Sequence, residues 1–272
     1  MKLFPLIIAT GLVLAAGAAG CSSSKEVETL PVEVRYAKAM AEFANADYLE
    51  AADDFKIVTV QYPGSSVADS AQFLIAQCRY RRGEYILAAS ECDLLVKTMP
   101  SSPLVIRARY MKAMSEYELS PKSSLDQKYT REAIDDFQSF IEYFPADSLS
   151  KNAASKINEL NDKLARKDLD NANLYYRLEY YKAAIAYYDI VLDRHHDSQY
   201  ADDALLGKAR AMRQRRDDAG ALEAINEFYA KYPTSDLKAD VDALKAEIVA
   251  QPSKVPADKE RRIGYSPTVT PP

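Results

Sequence analysis

The sequence contains few residues that interrupt helices. Only four of its eight glycines lie between Ser22 and Ala250, and three of these four are close to predicted turns. Glycine costs about 1 kcal/mol relative to alanine in a helix interior, so a long segment that nearly lacks glycine is free to be helical. The scarcity of glycine therefore favours a chain that is helical almost throughout.

The sequence also lacks the signatures of a catalytic or metal site. It has no glycine-rich phosphate loop, no nucleophile elbow and no His-Glu-x-x-His motif. The only histidines, His195 and His196, are adjacent. Neighbouring helical positions point about 100° apart, which is a poor geometry for a shared metal. We expect both histidines to lie in a solvated turn, and we expect no enzymatic activity, no metal and no bound cofactor.

The chain has no excess of basic residues, and it has no long apolar run beyond Cys21. The formal net charge is −5, and removing Lys2 with the leader described below leaves 34 basic against 40 acidic residues. An acidic chain is not attracted to a phosphate backbone, which argues against nucleic acid as the partner. No apolar run beyond Cys21 approaches the length of a membrane-spanning helix, so the sequence predicts a soluble body.

The segment up to Cys21 differs in composition from the rest of the chain. Residues 3–16 are an apolar run too short to span a bilayer, and they lead to the small residues before Cys21. This segment resembles a bacterial lipoprotein signal, in which Cys21 becomes an N-terminus that carries an N-acyl chain and an S-diacylglycerol. An ordinary secretory peptide cut near Gly20 is the alternative. Residues 22–30 would then form a flexible tether.

Two further cysteines, Cys78 and Cys92, remain in a compartment that should be oxidising. They lie about 5 and 9 residues from the bend predicted near Gly83, which gives an axial mismatch of roughly 6 Å between them. We therefore expect two buried free thiols rather than a disulfide.

A repeat of about 37 residues organises the chain beyond the tether. Its marker is a proline, replaced once by histidine, that follows an aromatic or apolar residue. The five markers are Tyr62-Pro63, Met99-Pro100, Phe144-Pro145, His195-His196 and Tyr232-Pro233. The intervals between the marker positions are 37, 45, 51 and 37 residues. The basic unit is thus slightly longer than the 34 residues of a tetratricopeptide repeat (TPR), a helical hairpin.

The residues before each marker form columns at helical spacing. Counting back from the marker position, the residues at −12 are all alanine and those at −8 and −5 are mostly large and apolar, which places all three on one helix face. The columns are Ala51, Ala88, Ala133, Ala184, Ala221; Phe55, Cys92, Phe137, Tyr188, Ile225; and Val58, Leu95, Phe140, Val191, Phe228. Small residues recur because closely crossing helices leave no room for branched side chains.

Two more sets of positions predict the helices on either side of the one that carries these columns. Two residues after the marker stands a residue suited to cap a following helix: Ser65, Ser102, Asp147, Ser198, Ser235. The small position of the first TPR helix corresponds to Ala39, Ala76, Ala113 and Ala209. Each repeat is therefore predicted to contain two antiparallel helices.

Two insertions interrupt this rhythm. Residues 120–124 form a polar loop that joins the two helices of the third repeat. The second insertion lies between Pro145 and His196 and widens the marker interval from 37 to 51. The difference is close to four whole helical turns of about 3.6 residues each. We expect it to lengthen one helix, from Ser148 to Arg177, without rotating the next hairpin.

Several segments resemble the BamD family, the TPR lipoproteins of the outer-membrane β-barrel assembly (Bam) machinery. These segments are Leu160–Lys167, Ala172–Tyr176, Ser124–Ile134 and Tyr110–Ser115. The resemblance implies a scaffold that binds the BamA-like insertase through a POTRA domain, contacts other Bam subunits, and engages unfolded outer-membrane protein precursors. It also implies a location on the periplasmic face of the outer membrane, held by the lipid on Cys21.

Candidate contact residues follow from composition and position. Tyrosines crowd the fourth hairpin, and rings with a polar tip suit a protein interface. Two arginine clusters sit at hairpin turns. They either form an edge on which acidic groups of a partner dock or complement the helix dipole. The candidates for the insertase are Tyr175, Tyr176, Tyr180, Tyr181, Arg213, Arg215 and Arg216. The candidates for the precursor are Tyr36, Phe73 and Arg79.

The sequence thus predicts an all-α protein, a right-handed superhelix (α-solenoid) of five TPR-like hairpins with one extended helix between repeats three and four. Repeats 1–3 occupy residues 31–146, and repeats 4–5 with a C-terminal cap occupy residues 147–250. Residues 251–272 hold five of the 13 prolines and are predicted to be disordered. Other functions stay open: an envelope TPR adaptor for cell division and peptidoglycan synthesis, a pilus-assembly lipoprotein, or an envelope hydrolase.

Overall fold

The computed structural model describes residues 30–253, and this part of the chain contains eleven α-helices and no strand. The helices are α1 Val32–Ala44, α2 Tyr48–Gln61, α3 Ala68–Arg81, α4 Tyr85–Thr98, α5 Val105–Leu119, α6 Lys128–Tyr143, α7 Ser150–Arg177, α8 Tyr181–Arg194, α9 Ala201–Gln214, α10 Asp218–Lys231 and α11 Lys238–Ala250. Across residues 30–253, no helix combines the length and the apolar character that a bilayer span needs. The leader with Cys21, the tether up to residue 29 and the tail from residue 254 lie outside the described residues.

The helices form five consecutive hairpins, α1/α2 to α9/α10, followed by α11 as a terminal cap. Each helix packs mainly on the helices before and after it in the chain. This nearest-neighbour pattern is that of a solenoid of helical hairpins, as the repeat predicted. The long helix α7 has 28 residues and is itself the first helix of the fourth hairpin rather than a separate element between repeats three and four.

The predicted columns form the core. All five column alanines, from Ala51 to Ala221, are fully buried, and the large residues four and seven positions after them are buried as well. The small position of the fourth hairpin, for which no residue was predicted, is Ala172 in α7. It is also fully buried, and it precedes Ala184 at the same spacing that separates Ala39 from Ala51. The register of the repeat is therefore confirmed in every hairpin.

After four of the five markers the Ser or Asp caps a turn rather than the helix itself, and the exception is Ser65, whose buried Oγ has no hydrogen-bond partner among the described residues. Ser102 Oγ accepts the Leu104 N–H at 3.1 Å, and Asp147 Oδ1 accepts the Leu149 N–H at 2.8 Å. Helices α5 and α7 begin one residue after Leu104 and Leu149. The predicted interaction therefore forms, but one turn of backbone precedes the α-helix, so each helix begins two residues later than predicted.

Four of the five hairpins close with the same tight turn. Each places one residue in the left-handed region, at Ala46 (φ 65°), Gly83 (φ 74°), Glu179 (φ 62°) and Arg216 (φ 64°). The next residue then donates its N–H to the carbonyl five positions back, as Tyr180 does to Tyr175 at 3.0 Å, which is the helix-ending Schellman geometry. Equivalent residues of these hairpins therefore lie along one side of the solenoid, which we call the turn edge.

The third hairpin closes with the predicted loop, which extends to residue 127 rather than to residue 124. The long helix α7 holds that loop. The buried Gln127 donates through Nε2 to the carbonyls of Lys122 at 2.8 Å and Leu125 at 3.0 Å. Lys167 of α7 donates to the Leu125 carbonyl at 2.5 Å. The two insertions that interrupt the repeat thus pack against each other, which their separation in the sequence does not reveal.

The expectation of a solvated turn is wrong for His195 and right for His196. His195 is only 7% exposed, and its Nε2 lies 3.4 Å from Asp168 Oδ2. It ends α8 with the backbone conformation that Tyr62 and Phe144 have at the ends of α2 and α6. The imidazole therefore takes the place of an aromatic ring under the turn, while His196 takes the exposed proline position. As expected, Cys78 and Cys92 are buried free thiols.

Candidate functional site

The tyrosines of the fourth hairpin fall into structurally different groups. Tyr176 and Tyr181 form an edge-on ring pair across the turn, with centroids 5.5 Å apart. The same pair recurs in the first two hairpins, as Phe43 with Tyr48 at 5.5 Å and Tyr80 with Tyr85 at 5.2 Å. Because the pair belongs to the repeat, it fastens the turn, and it does not distinguish the fourth hairpin as a binding site.

The fifth hairpin has an ion pair where the others have this aromatic pair. Arg213 Nη1 lies 2.8 Å from Asp218 Oδ1, and Arg213 Nε lies 3.2 Å from Glu247 Oε1 of α11. The Arg213 guanidinium is therefore engaged in ion pairs within the chain. Of the three arginines predicted at this turn, Arg213 is a structural residue.

Tyr180 is the exposed tyrosine of the fourth hairpin, with 64% of its surface accessible. It precedes α8, at the position where the other tight turns have Asp47, Glu84 and Asp217. Of these three carboxylates, Asp217 caps its helix, because its Oδ1 accepts the Gly220 N–H at 3.0 Å, whereas Asp47 and Glu84 make no capping hydrogen bond. Tyr180 is thus an aromatic side chain at a position that is acidic in the other three tight turns.

Two leucines at the end of α7 extend the exposed apolar surface near Tyr180: Leu174 in its last turn and Leu178, which directly follows the helix. Leu174 is 45% and Leu178 is 53% exposed, and they are one helical turn apart on the same face. Exposed apolar side chains are ordinary singly, but a contiguous group marks an interaction site. We call Leu174, Leu178 and Tyr180 the turn patch.

The remaining tyrosines of this hairpin are packed. Tyr175 stacks on Tyr187, with centroids 5.0 Å apart and the rings 16° from parallel. Tyr188 is buried and donates its hydroxyl to Asn173 Oδ1 at 2.6 Å. Its ring also explains the glycine that lies far from any turn, because a Cβ at Gly207 would overlap the ring of Tyr188. Tyr175 thus contributes to packing, as Tyr176 and Tyr181 do.

Two of the predicted arginines stay available beside the turn patch. Arg216 is exposed in the left-handed position of the α9/α10 turn. Arg215 is half-buried, and its Nε has no hydrogen-bond partner among the described residues. The structure therefore places Tyr180, Arg215 and Arg216 on the turn edge of neighbouring hairpins and assigns the other predicted residues to internal contacts.

A groove of about 480 Å³ lies among the first helices of the second to fourth hairpins. Its lining comes from α3, α5 and the turn before α7: Phe73, Tyr80, Ile106, Arg107, Tyr110, Met111, Met114, Asp147, Ser148 and Leu149. Most of the lining is aromatic or aliphatic. Exposed Arg107 adds a positive charge.

The three residues predicted for the precursor do not form one site. Tyr36 packs against Phe55 inside the first hairpin, with centroids 5.6 Å apart. Arg79 pairs with Glu84 at 2.8 Å, and only Phe73 reaches the groove. The main groove residues were missed, although Ile106, Tyr110 and Met114 recur every four residues and could have been recognised as one face of α5.

A partly buried charge cluster, in which Glu116 is the buried member, lies near the middle of the solenoid. Lys112 Nζ lies 2.7 Å from Asp136, 3.7 Å from Asp93 and 3.8 Å from Glu116. Burial, followed by the neighbouring Asp136, raises the pKa of Glu116 to about 8. Residues 30–253 contain no group of His, Cys, Asp and Glu arranged to hold a metal.

Comparison with known families gives two matches. The family described as YfiO, outer membrane lipoprotein, matches residues 29–218. A tetratricopeptide repeat family matches residues 203–235, which cover α9 from its third residue, α10 and the turn between them. The second match agrees with the hairpin geometry of this region.

Curated relatives match most of the chain. A protein of Caulobacter vibrioides named outer membrane protein assembly factor BamD is 26% identical over 206 residues, which cover 74% of this chain and 68% of the relative. Proteins of the same name are 26% identical in Rickettsia prowazekii, covering 75% of this chain and 80% of the relative, and 28% identical in Haemophilus influenzae, covering 60% and 67%.

Proposed function

Since the chain belongs to the YfiO family of outer membrane lipoproteins, we propose that it is a scaffold of outer membrane protein assembly, anchored by lipid on Cys21 at the periplasmic face. The relatives named as assembly factors support this role. The fold suits it as well, because a solenoid presents an extended surface on which several proteins can bind side by side.

The proposed main partner is a BamA-like insertase, bound through a POTRA domain at the turn edge of the fourth and fifth hairpins. The observation that carries this proposal is Tyr180, an exposed ring at the position where the other tight turns have the carboxylates of Asp47, Glu84 and Asp217. With Leu174 and Leu178 it supplies an apolar centre for a contact. The positive charges of Arg215 and Arg216 lie one hairpin away, and other Bam subunits would occupy neighbouring surface.

The centre and the rim of this contact would contribute differently. Burial of apolar area is worth about 25 cal/mol per Å², and central aromatic residues dominate interface energetics. Rim arginines act mainly on orientation and association rate, because their charges stay solvated. We therefore expect Tyr180 and Leu178 to set the affinity, and Arg216 to set the salt dependence.

Binding of the purified chain to the POTRA region of the insertase tests this proposal. We expect Tyr180→Ala and Leu178→Ala each to weaken binding about tenfold, or roughly 1.4 kcal/mol. Both side chains are exposed, so the melting temperature should not change. The measurement is the dissociation constant by surface-based or calorimetric titration.

The matched control is Leu87→Ala, which removes an exposed leucine near the turn of the second hairpin, 48% accessible and outside the proposed surface. It should leave the affinity unchanged. If all three variants bind with the affinity of the parent chain, the turn edge of the fourth hairpin is not part of the interface.

The groove among α3, α5 and α7 is the proposed site for an unfolded precursor. A strand of a membrane β-barrel alternates apolar and polar residues, so an extended segment has apolar side chains to place against Phe73, Met111 and Leu149. Arg107 could pair with a carboxylate of the same segment. Tyr36 and Arg79 are no longer among the proposed contacts, because Tyr36 packs on Phe55 and Arg79 pairs with Glu84.

A labelled peptide with the sequence pattern of one β-barrel strand tests the groove by fluorescence anisotropy. Arg107→Glu should weaken binding about fivefold or more, since a favourable charge becomes an opposing one. Arg131→Glu makes the same charge change at an exposed arginine of α6 outside the groove, and it should have no effect. Equal losses in both variants would indicate only nonspecific attraction to positive charge.

A further inference from the structure

The chain that follows α11 is tied back to the turn edge at the fifth hairpin. Ser253 donates its N–H to Asp218 Oδ2 at 2.5 Å and its hydroxyl to Asp218 Oδ1 at 3.0 Å. Arg213 donates to Ser253 Oγ at 2.7 Å and to the Gln251 carbonyl at 2.8 Å. The first three residues of the tail, predicted to be disordered, are therefore held in place. We call Arg213, Asp218 and Ser253 the latch.

The latch exists because the fifth hairpin departs from the repeat. The aromatic pairs at these two positions in the first, second and fourth hairpins have neither the carboxylate nor the guanidinium that binds Ser253 and Gln251 here. Arg213 and Asp218 bind these residues while still fastening the turn, 2.8 Å apart. The YfiO family match ends at residue 218, so Ser253 and the tail lie outside the part of the chain that matches that family.

The latch fixes where the rest of the tail begins. Beyond Ser253 the sequence continues from residue 254 to residue 272. The turn patch lies one hairpin away on the same edge, a distance of about 20 Å if each helix spacing is about 8–10 Å. An extended chain covers about 3.3 Å per residue, so six or seven residues suffice to reach it.

The composition of the tail suits the turn patch. Ile263 and Tyr265 are apolar side chains that lie ten and twelve residues beyond Ser253, and Arg261 and Arg262 directly precede them. Within the turn patch, the exposed carboxylate of Glu179 lies between Leu178 and Tyr180 in the sequence. We propose that residues 254–272 cover the turn patch within the same molecule when no partner is bound.

Such a cover would compete with any protein that docks on the turn patch. A tethered segment acts at an effective concentration in the millimolar range, so even weak contacts would keep the patch covered much of the time. A partner must then displace the tail, and a chain that ends at Ser253 should bind it more tightly than the full chain does.

The absence of tryptophan provides a direct test, because Tyr265→Trp introduces a single fluorophore into the tail. In the full chain without its leader, the indole should emit at shorter wavelength and resist acrylamide quenching. Changing Leu178→Ser together with Tyr180→Ser should abolish this protection, giving the quenching of a free peptide of residues 254–272 with the same tryptophan.

Two further variants test whether protection of the tryptophan depends on the turn patch and on the latch. Ile86→Ser with Leu87→Ser removes two exposed apolar side chains at the second hairpin and should leave the protection intact. Ser253→Pro removes the N–H and the hydroxyl that the latch binds, and it should reduce the protection without altering the packed helices.

Three results would overturn the proposal. They are a tryptophan as easily quenched in the parent chain as in the free peptide, protection that survives loss of the turn patch, and protection that rises with protein concentration. The last would indicate the tail of a second copy. Because the assay contains no insertase, its outcome is independent of the function proposed above.

Discussion

Ala184→Arg is expected to lower the melting temperature by about 10 °C or more. Ala184 lies fully buried in α8, packed with Ala172 of α7 and Ala204 of α9 in one cluster. An arginine there must displace neighbouring helices or bury an unpaired charge, which costs about 3–5 kcal/mol. A domain of this size loses roughly 2–4 °C per kcal/mol.

Ala186→Arg is the matched control, two residues further along the same helix. Ala186 is exposed, so the same change adds a solvated side chain to a helix surface and should shift the melting temperature by less than about 2 °C. Hydrogen exchange should show that the damage from Ala184→Arg stays in the fourth hairpin and its neighbours, because a solenoid is coupled mainly to nearest neighbours. Similar melting of both variants would refute the register of the repeat.

Glu116→Gln is expected to stabilise the protein at alkaline pH and to leave its stability nearly unchanged near pH 4. Glu116 is only 8% exposed, and its pKa rises from the ordinary 4.5 to about 8 because of burial and then of Asp136, while Lys112 opposes the rise. A carboxyl whose pKa is raised in the folded state stabilises that state while protonated. This contribution is complete below about pH 4.5 and is lost as the pH rises through about 8.

Chemical unfolding between pH 4 and 9 measures this effect. The parent chain should lose free energy of unfolding relative to Glu116→Gln across that window, by about 2–4 kcal/mol at pH 9, since each pKa unit corresponds to about 1.4 kcal/mol. Glu142→Gln, at an exposed glutamate of α6, should follow the parent chain at every pH. A constant difference between Glu116→Gln and the parent would show that Glu116 is ionised in the folded protein.

The sequence determined the fold and its register. The three columns before the markers lie four and three residues apart, which is the spacing of one helix face, and all of their members are buried. The prediction succeeded because each hairpin packs on its immediate neighbours, so a local pattern is enough to decide which face turns inward. The insertion before the fourth marker was predictable for the same reason, since whole helical turns lengthen α7 without changing its buried face.

Only the tertiary structure decided which turn residues are free to bind something else. Tyr176, Tyr180 and Tyr181 are near neighbours in the sequence, yet the first and last pack on each other and only Tyr180 stays exposed. Arg213 is occupied by Asp218 and by Glu247, which is 34 residues away. Exposure and pairing at a turn depend on side chains from other helices, and no spacing within the turn itself encodes those distant partners.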